Sequence, residues 1–280
     1  MKTDPINKVV DAFKLQGKQF AILDFETSSS KDGVPGFPIE IGALQYDENA
    51  NLTEICKYVH QGDYNPEIDM ISTNNDYFSI TDLTGVTREH LQDEAFAPQR
   101  ITECELVQYN FDTGLIIGYN ISYDVRTLKA AYERCKLSFA SVQLLDVMAL
   151  YIDLYGNRPG YIKYGYNRSI RKAHYEKYDL NTVAHKLQVV SSNEEQEHDA
   201  LSDVQWTLRV LNKIIEDFPN LDYTRYINKI YYNPCYEIPL WQRLSKEGVS
   251  YYPFGTKEKI AKINDQFTLY NYNNFDESDW

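Results

Sequence analysis

Two carboxylates stand close together near the start of the chain, in the sequence Phe20-Ala-Ile-Leu-Asp24-Phe-Glu26-Thr27. The apolar run before Asp24 predicts a strand, and residues two apart in a strand project from the same face. Asp24 and Glu26 would therefore point together, and burying both is costly unless a cation or hydrogen bonds compensate. Mg²⁺ and Mn²⁺ take carboxylate oxygens as ligands, so the pair suggests a metal site. On its own, an Asp-x-Glu pair is more often a strand end that faces water.

Two further carboxylates and a histidine could complete such a site. Asp124 follows a short apolar run, 115–118, and begins an amphipathic helix. Asp203 lies in the first turns of a later helix, and His198 precedes it by five residues. A five-residue step turns a helix by about 140°, so His198 must lie in the preceding loop to reach the same site. Each residue also has an ordinary alternative: a helix-start acid for Asp124 and a loop histidine for His198.

The elements that must position these residues alternate between strands and helices. The pattern predicts three successive strands and then two short ones, at 20–27, 39–46, 52–59, 115–118 and 142–146. Helical spacing marks the main helices, at 5–15, 125–135, 179–187 and 198–215. Residues 60–80 show no pattern that predicts an element. This order indicates an α/β domain with a mixed sheet.

Composition restricts the class of protein. The chain has 280 residues with 28 basic and 41 acidic side chains, a net charge of −13, which argues against a protein that coats nucleic acid non-specifically. No apolar run approaches the roughly 18 residues of a membrane span, and the N-terminus has no signal-peptide pattern. We therefore expect a cytoplasmic protein that does not contact the membrane. The four scattered cysteines are expected to be reduced thiols.

Residues 155–178 differ in charge from the rest of the chain. They carry six basic residues against one acid, Glu176, with tyrosines between them. Cations can meet phosphates while aromatic rings stack on bases, which suits single-stranded nucleic acid. A solvated loop whose tyrosines pack on the domain is equally consistent with the pattern. The candidate substrate-binding side chains of this segment are Tyr164, Tyr166, Arg168, Arg171 and Lys172.

Taken in order, these motifs resemble the DEDD superfamily of 3′–5′ exonucleases, specifically its histidine-containing branch, DEDDh. That branch includes the proofreading epsilon subunit of bacterial replicative polymerase, ribonuclease T and oligoribonuclease. The matching motifs are Leu23-Asp-Phe-Glu-Thr27 with Pro38-Ile-Glu-Ile-Gly42, Thr84-Gly-Val-Thr87, Gly118-Tyr-Asn-Ile-Ser-Tyr-Asp124 and His198-Asp-Ala-Leu-Ser-Asp203. The chain departs from the family at Tyr119, often histidine, at Tyr123, often phenylalanine, and at Ser28-Ser-Ser, commonly Thr-Gly.

The resemblance implies a ribonuclease H-like fold, with a mixed five-stranded sheet flanked by helices and a small C-terminal extension. The expected regions are an N-terminal helical segment over residues 1–18, the exonuclease domain over 19–217, and the extension with its acidic tail over 218–280. Thr27, Asn120 and Tyr123 would contact the substrate.

The resemblance also implies two divalent metal ions, Mg²⁺ or Mn²⁺, at the acidic residues. Asp24 would bridge the ions, Glu26 and Asp203 would hold one, and Asp124 would support the other. His198, whose unperturbed pKa is near 6.5, would deprotonate the attacking water.

The implied function is a 3′–5′ exonuclease that hydrolyses single-stranded nucleic acid to nucleoside 5′-monophosphates, with DNA favoured. An exoribonuclease that trims RNA remains open, because no motif reads the 2′-hydroxyl. A nuclease-fold module that acts mainly as a scaffold in a larger assembly also remains open, with the C-terminal extension as the contact to a protein partner. The acidic tail, 273–280, is then either a peptide ligand or a frayed end.

Overall fold

The computed structural model describes residues 5–30, 35–49, 51–73, 76–92, 100–111, 114–140, 142–155, 179–196, 199–231 and 250–252. The strands are β1 (Phe20–Thr27), β2 (Pro38–Tyr46), β3 (Leu52–His60), β4 (Met70–Thr73), β5 (Asp76–Ser79), β6 (Arg100–Thr102), β7 (Leu115–Gly118), β8 (Gln143–Asp146), β9 (Lys229–Tyr231) and β10 (Ser250–Tyr252). The helices are α1 (Pro5–Phe13), α2 (Ile80–Thr84), α3 (Arg88–Gln92), α4 (Glu103–Leu106), α5 (Ser122–Arg134), α6 (Val147–Tyr155), α7 (Leu180–Lys186) and α8 (Ala200–Asp217).

The main sheet has the strand order β10-β9-β8-β7-β1-β2-β3-β6. The pairs β1–β2 and β2–β3 are antiparallel, whereas β1–β7, β7–β8, β8–β9, β9–β10 and β3–β6 are parallel. The mixed five-stranded sheet expected from the sequence is thus present as β8-β7-β1-β2-β3. Three short strands extend it to eight described strands. Two of them, β9 and β10, come from the region after residue 217, which therefore contributes to the same sheet.

Helices cover both faces of the sheet, and the alternation along β1 shows which side chains point to which face. Phe20 and Ile22 pack into a cluster that also contains apolar residues of α1, α6, α7 and α8. Leu23 and Phe25 pack on the opposite face, in a cluster with residues of α5. Side chains two apart on a strand share a face, so Asp24 and Glu26 point to the same face as Phe20 and Ile22. This is the face that α8 covers.

The N-terminal helix predicted by apolar spacing is confirmed as α1. Its buried residues are Ile6, Val9, Val10 and Phe13. The ring of Phe13 lies 5.4 Å from that of Tyr223, and Lys8 forms an ion pair with Glu216 of α8. Packing on α8 thus stabilises a nine-residue helix that would be marginal alone.

The prediction that all cysteines are reduced is wrong for two of them. Cys104 in α4 and Cys135 at the end of α5 form a disulfide, with their Cα atoms 5.6 Å apart. A sequence separation of 31 hides this pairing in the sequence, because only the docking of α4 against α5 brings the two cysteines together. Cys56 is a free thiol, and Cys235 lies outside the described residues.

Residues 60–80, which carry no readable sequence pattern, support the loop that follows β1. Asp69 accepts hydrogen bonds from the Ser29 amide at 2.9 Å and from the Tyr64 hydroxyl at 2.8 Å. The hairpin β4–β5 follows, and Ser79 and Asp82 cap α2 reciprocally. None of the helices that the structure describes is long and apolar enough to cross a membrane.

Candidate active site

Three carboxylates converge where β1 meets the first turn of α8. Each of Asp24, Glu26 and Asp203 offers a carboxylate oxygen, and these oxygens lie within 4.8 Å of one another. Asp24 and Glu26 share a face of β1 because they are two residues apart, as the sequence predicts. Asp203 reaches them because α8 packs on that same face.

The close approach of α8 depends on a glycine in the neighbouring strand. Gly42 in β2 lies directly opposite Asp24 in the sheet. A Cβ at this position would lie 2.2 Å from the carbonyl carbon of Ala200, the first residue of α8. The amide of Ala200 also donates a hydrogen bond to Glu40 of β2 at 3.4 Å. Gly42 thus permits the helix to sit close enough for Asp203 to join the carboxylates of β1.

Asp124 is a fourth buried carboxylate beside this group. It lies in the first turn of α5 with 4% of its surface exposed, and accepts a hydrogen bond from the Phe25 amide at 3.1 Å. Because Phe25 lies between Asp24 and Glu26, this bond ties α5 to the acidic end of β1. Burial raises the pKa of Asp124 to about 8, despite the opposing effect of that hydrogen bond.

The carboxylates raise one another's proton affinity. Burial raises the pKa of Asp24 well above its usual range, and the charges of Asp124, Glu26 and Asp203 raise it further. The pKa of Glu26 is also raised well above its usual range, first by burial and then by the charge of Asp203. Glu40 has a pKa raised to about 7, mainly by burial. A divalent cation would relieve this repulsion, and hard carboxylate oxygens are the donors that Mg²⁺ and Mn²⁺ prefer. The acidic group could therefore hold a divalent metal ion.

Two residues that the sequence analysis does not single out hold parts of the site by hydrogen bonds. Gln196 donates from Nε2 to both carboxylate oxygens of Asp203, at 2.7 Å each. Asp146, fully buried at the end of β8, accepts hydrogen bonds from the amides of Asn120 and Met148, both at 3.0 Å. No sequence pattern identifies Gln196, because it lies in a loop. Asp146 could have been identified from the sequence, because it is an acid at the end of a strand that lies parallel to β7.

The substrate-binding candidates within the described residues lie around the start of α5. The Thr27 hydroxyl, next to Glu26, hydrogen-bonds the Tyr123 hydroxyl at 2.7 Å. Asn120 has a φ of 57°, in the left-handed region, and its amide is held by Asp146. Thr27 and Tyr123 are therefore brought together at the edge of the acidic group, and Asn120 lies in the turn that leads from β7 into α5.

The remaining candidates lie outside the described residues: His198, Tyr164, Tyr166, Arg168, Arg171 and Lys172. The described chain resumes at Asp199, whose carboxylate accepts from the Ser202 amide at 2.9 Å and caps α8. The helix itself begins at Ala200.

Solved structures share this fold at low sequence identity. E. coli exonuclease I in a zinc-bound complex with single-stranded DNA aligns with a TM-score of 0.52 and 18% identity, covering 73% of this chain and 42% of that one. The same enzyme with a dA16 oligonucleotide aligns with a TM-score of 0.51, 18% identity and the same coverage. The chain thus spans less than half the length of the exonuclease I structures it matches. No curated protein sequence matches it.

A family model described as the RNase T exonuclease family matches residues 21–211, more than half of the chain. The matched range contains all four carboxylates and His198. It confirms the expected membership of the DEDD exonucleases at the level of the family. The chain belongs to the RNase T exonuclease family.

Proposed function

We propose that this chain is a metal-dependent 3′–5′ exonuclease that hydrolyses single-stranded nucleic acid, with DNA favoured, to nucleoside 5′-monophosphates. The observation that carries the proposal is the convergence of Asp24, Glu26 and Asp203 within 4.8 Å on the sheet face beneath α8. Membership of an exonuclease family supports the reaction class. The single-stranded DNA bound to the similar exonuclease I structures supports the choice of substrate.

The acids have distinct parts in this proposal. Asp24 would bridge two divalent ions, Mg²⁺ or Mn²⁺, while Glu26 and Asp203 would hold one and Asp124 would support the other. Such ions lower the pKa of bound water and stabilise charge on the phosphate oxygens. Gln196 would hold the Asp203 carboxylate in one orientation, since its amide nitrogen donates to both oxygens.

The protein side chains would supply proton transfer and substrate alignment. His198 would take the proton from the attacking water as the new P–O bond forms and the bond to the leaving 3′-oxygen breaks. The terminal nucleotide then leaves with its 5′-phosphate. Thr27 and Tyr123, joined by their hydroxyls, would contact the substrate at the edge of the acidic group, with Asn120 in the adjoining turn. The basic segment 155–178 would hold the strand beyond it, through Tyr164, Tyr166, Arg168, Arg171 and Lys172.

The proposal is tested on 5′-labelled single-stranded DNA and RNA of one sequence, incubated with Mg²⁺, Mn²⁺ or EDTA. We expect a ladder that shortens from the 3′ end, faster on DNA, and no shortening in EDTA. Chromatography against 5′- and 3′-monophosphate standards identifies the product. A strand ending in a 3′-phosphorothioate linkage serves as a matched control and should be degraded more slowly.

The outcomes separate the alternatives. Faster digestion of RNA than of DNA would favour the exoribonuclease. A protein that binds the strands but leaves them intact with either metal would contradict the proposed activity and favour a scaffold. Products that are 3′-monophosphates would contradict the bond proposed to be cut, and internal fragments would contradict cleavage from the end of the strand.

A further inference from the structure

An arginine of α5 makes no ion pair with any described residue. Arg126 lies in the second turn of α5, two residues after Asp124, and its side chain is partly buried. Its Nε is buried and has no hydrogen-bond partner. Two other arginines of the described chain form ion pairs: Arg134 with Glu103 and Arg209 with Glu194. Arg126 differs from the other described arginines because only its Nε is both buried and without a hydrogen-bond partner.

Arg126 is held in place by stacking. Its guanidinium carbon lies 5.2 Å from the centre of the Tyr123 ring. Residues three apart on a helix are neighbours, so the guanidinium covers the ring from one turn further along α5. Stacking orients a planar guanidinium, and thereby reduces the entropy lost when its N–H groups form hydrogen bonds.

Tyr123 connects this arginine to the edge of the acidic group. The Tyr123 hydroxyl bonds Thr27, which directly follows Glu26 in β1. Asp124, on the same helix, is bonded to the Phe25 amide. Arg126 is therefore positioned by the same turn of α5 that holds Asp124, but lies on a different face of the helix, about 200° around the axis. The side chain of Arg126 is thus not among the carboxylates, and it is connected to the edge of the acidic group through Tyr123 and Thr27.

We propose that Arg126 binds a backbone phosphate of the substrate strand, upstream of the bond that is cut. This inference rests on the proposed function. The phosphate that is cut belongs at the acidic group. On its 3′ side lies only the terminal nucleoside, so every other phosphate of the strand lies on its 5′ side. A phosphate bound beside the acids is thus an upstream one. Guanidinium and phosphate form strong, often bidentate hydrogen bonds, and this cation offsets repulsion between the carboxylates and the incoming strand.

The first test compares Arg126→Gln with wild type on a single-stranded DNA oligonucleotide across a range of salt concentrations. We expect KM to rise by about tenfold, with kcat at saturation within about twofold, since a hydrogen bond to a charged group is lost outside the reacting atoms. The slope of log affinity against log salt should fall by about 0.7, the loss of one phosphate contact on a single strand. Arg134→Gln is the matched control: it removes a paired arginine near the other end of the same helix and should change neither quantity.

The second test locates the phosphate. Single methylphosphonate linkages, which are neutral, replace each phosphate of the oligonucleotide in turn. We expect one upstream position to raise KM for wild type and for Arg134→Gln, and to have no further effect on Arg126→Gln. Arg126→Lys, which keeps the charge but loses the planar fork, should retain part of that position-specific effect.

Two results would overturn the inference while leaving the nuclease proposal intact. One is equal sensitivity of wild type and Arg126→Gln at every methylphosphonate position. The other is a fall in kcat and thermal stability with an unchanged salt slope, which would mean that Arg126 serves only to hold Tyr123. A wild-type protein that degrades no strand would instead contradict the proposed function itself.

Discussion

At the scale of single residues, the site is a group of acids that repel one another in the absence of a cation. Asp24, Glu26 and Asp124 all have raised pKa values, and burial is the first cause for each. Buried carboxylates with raised pKa values destabilise the fold when no ligand is bound. They are typical of functional sites, where ligand binding compensates for that loss of stability. The same physics makes the stability of the metal-free protein depend on pH.

Asp24→Asn should reduce the pH dependence of stability in EDTA. Because the folded protein raises the carboxyl pKa values, it binds more protons than the unfolded chain from about pH 4 to pH 8, and stability falls as pH rises through this window. Removing one acid should make the melting temperature fall less between pH 5 and pH 8 than in wild type. Thermal unfolding at both pH values measures this.

Asp217→Asn is the matched control for this experiment. Asp217 lies at the other end of α8, and its pKa is lowered by hydrogen bonds from Lys213 and Tyr155. Its contribution to stability is lost only as pH falls below the ordinary aspartate range, so this variant should show the wild-type slope between pH 5 and pH 8. A wild-type melting temperature that rises over that interval in EDTA would contradict the prediction.

His198→Ala should lower the hydrolysis rate by roughly 10²–10⁴-fold, the usual contribution of a general base. Binding of an oligonucleotide in Ca²⁺ should persist, because His198 is not assigned as a ligand. The wild-type rate should rise with pH through the titration of a histidine, near 6.5, and the variant should lose that rise. Initial rates between pH 5 and pH 9 measure this.

His185→Ala serves as the control for His198. His185 lies in α7, where its Nδ1 is 2.9 Å from the Asn181 carbonyl and its ring packs on Trp206. Its removal should leave the pH–rate profile unchanged. Loss of metal binding in His198→Ala, with a wild-type pH profile, would show that His198 is a ligand and not a base.

At the scale of elements, the contact between α8 and β2 assembles the site. Asp203 belongs to α8, Asp24 and Glu26 belong to β1, and β2 is the strand on which the start of the helix rests. Gly42 allows that approach, and Glu40 accepts a hydrogen bond from the first amide of α8. The distance between Asp203 and the acids of β1 therefore depends on the space left by one missing side chain.

Gly42→Val should displace the start of α8 and separate Asp203 from β1. Even a Cβ would lie 2.2 Å from the Ala200 carbonyl carbon, so the helix must shift. Overpacking of this kind costs about 1–3 kcal/mol in the free energy of unfolding. We expect that loss together with weaker Mn²⁺ binding by calorimetry and a fall in hydrolysis rate of more than about tenfold, since an ångström-scale misplacement can cost roughly 10²-fold.

Thr53→Val controls for the added branched side chain. Thr53 lies on the neighbouring strand β3 and is exposed, so this variant should retain wild-type Mn²⁺ affinity. Wild-type Mn²⁺ affinity and rate in Gly42→Val would contradict the role assigned to this contact.

At the scale of the whole molecule, one sheet with helices on both faces brings the distant motifs together. The parallel strands β1, β7 and β8 end at the same edge, which is where Thr27, Asn120 and Asp146 lie. The Cys104–Cys135 disulfide joins α4 to the end of α5 on the face opposite α8. It closes a loop that includes β7 and the turn leading to Asp124.

Cys104→Ser should lower the free energy of unfolding by about 2–4 kcal/mol under oxidising conditions, because the disulfide restricts the unfolded chain. Denaturant unfolding with and without a thiol reductant measures this, and the difference from wild type should vanish once the disulfide is reduced. Cys56→Ser, which removes a free thiol and keeps the disulfide, should lose as much stability on reduction as wild type does. A wild-type protein equally stable in both conditions would contradict the prediction.

The sequence alone determined the features that depend on local pattern. Alternation in β1 predicts that Asp24 and Glu26 share a face, and apolar spacing predicts α1, α5 and α8. The order of the acidic motifs indicates the family, because each motif is short and self-contained. These inferences succeed since strand and helix periodicity is a property of neighbouring residues.

Only the tertiary structure decided which distant residues meet. Gln196 on Asp203 and Asp146 under the Asn120 turn depend on how segments pack together, as does the disulfide. The three-residue strands β6, β9 and β10 carry too little periodicity to be recognised, and pairing with longer neighbours makes them strands. Their stability, and that of the acidic group, comes from contacts between segments far apart in the chain, which no local pattern records.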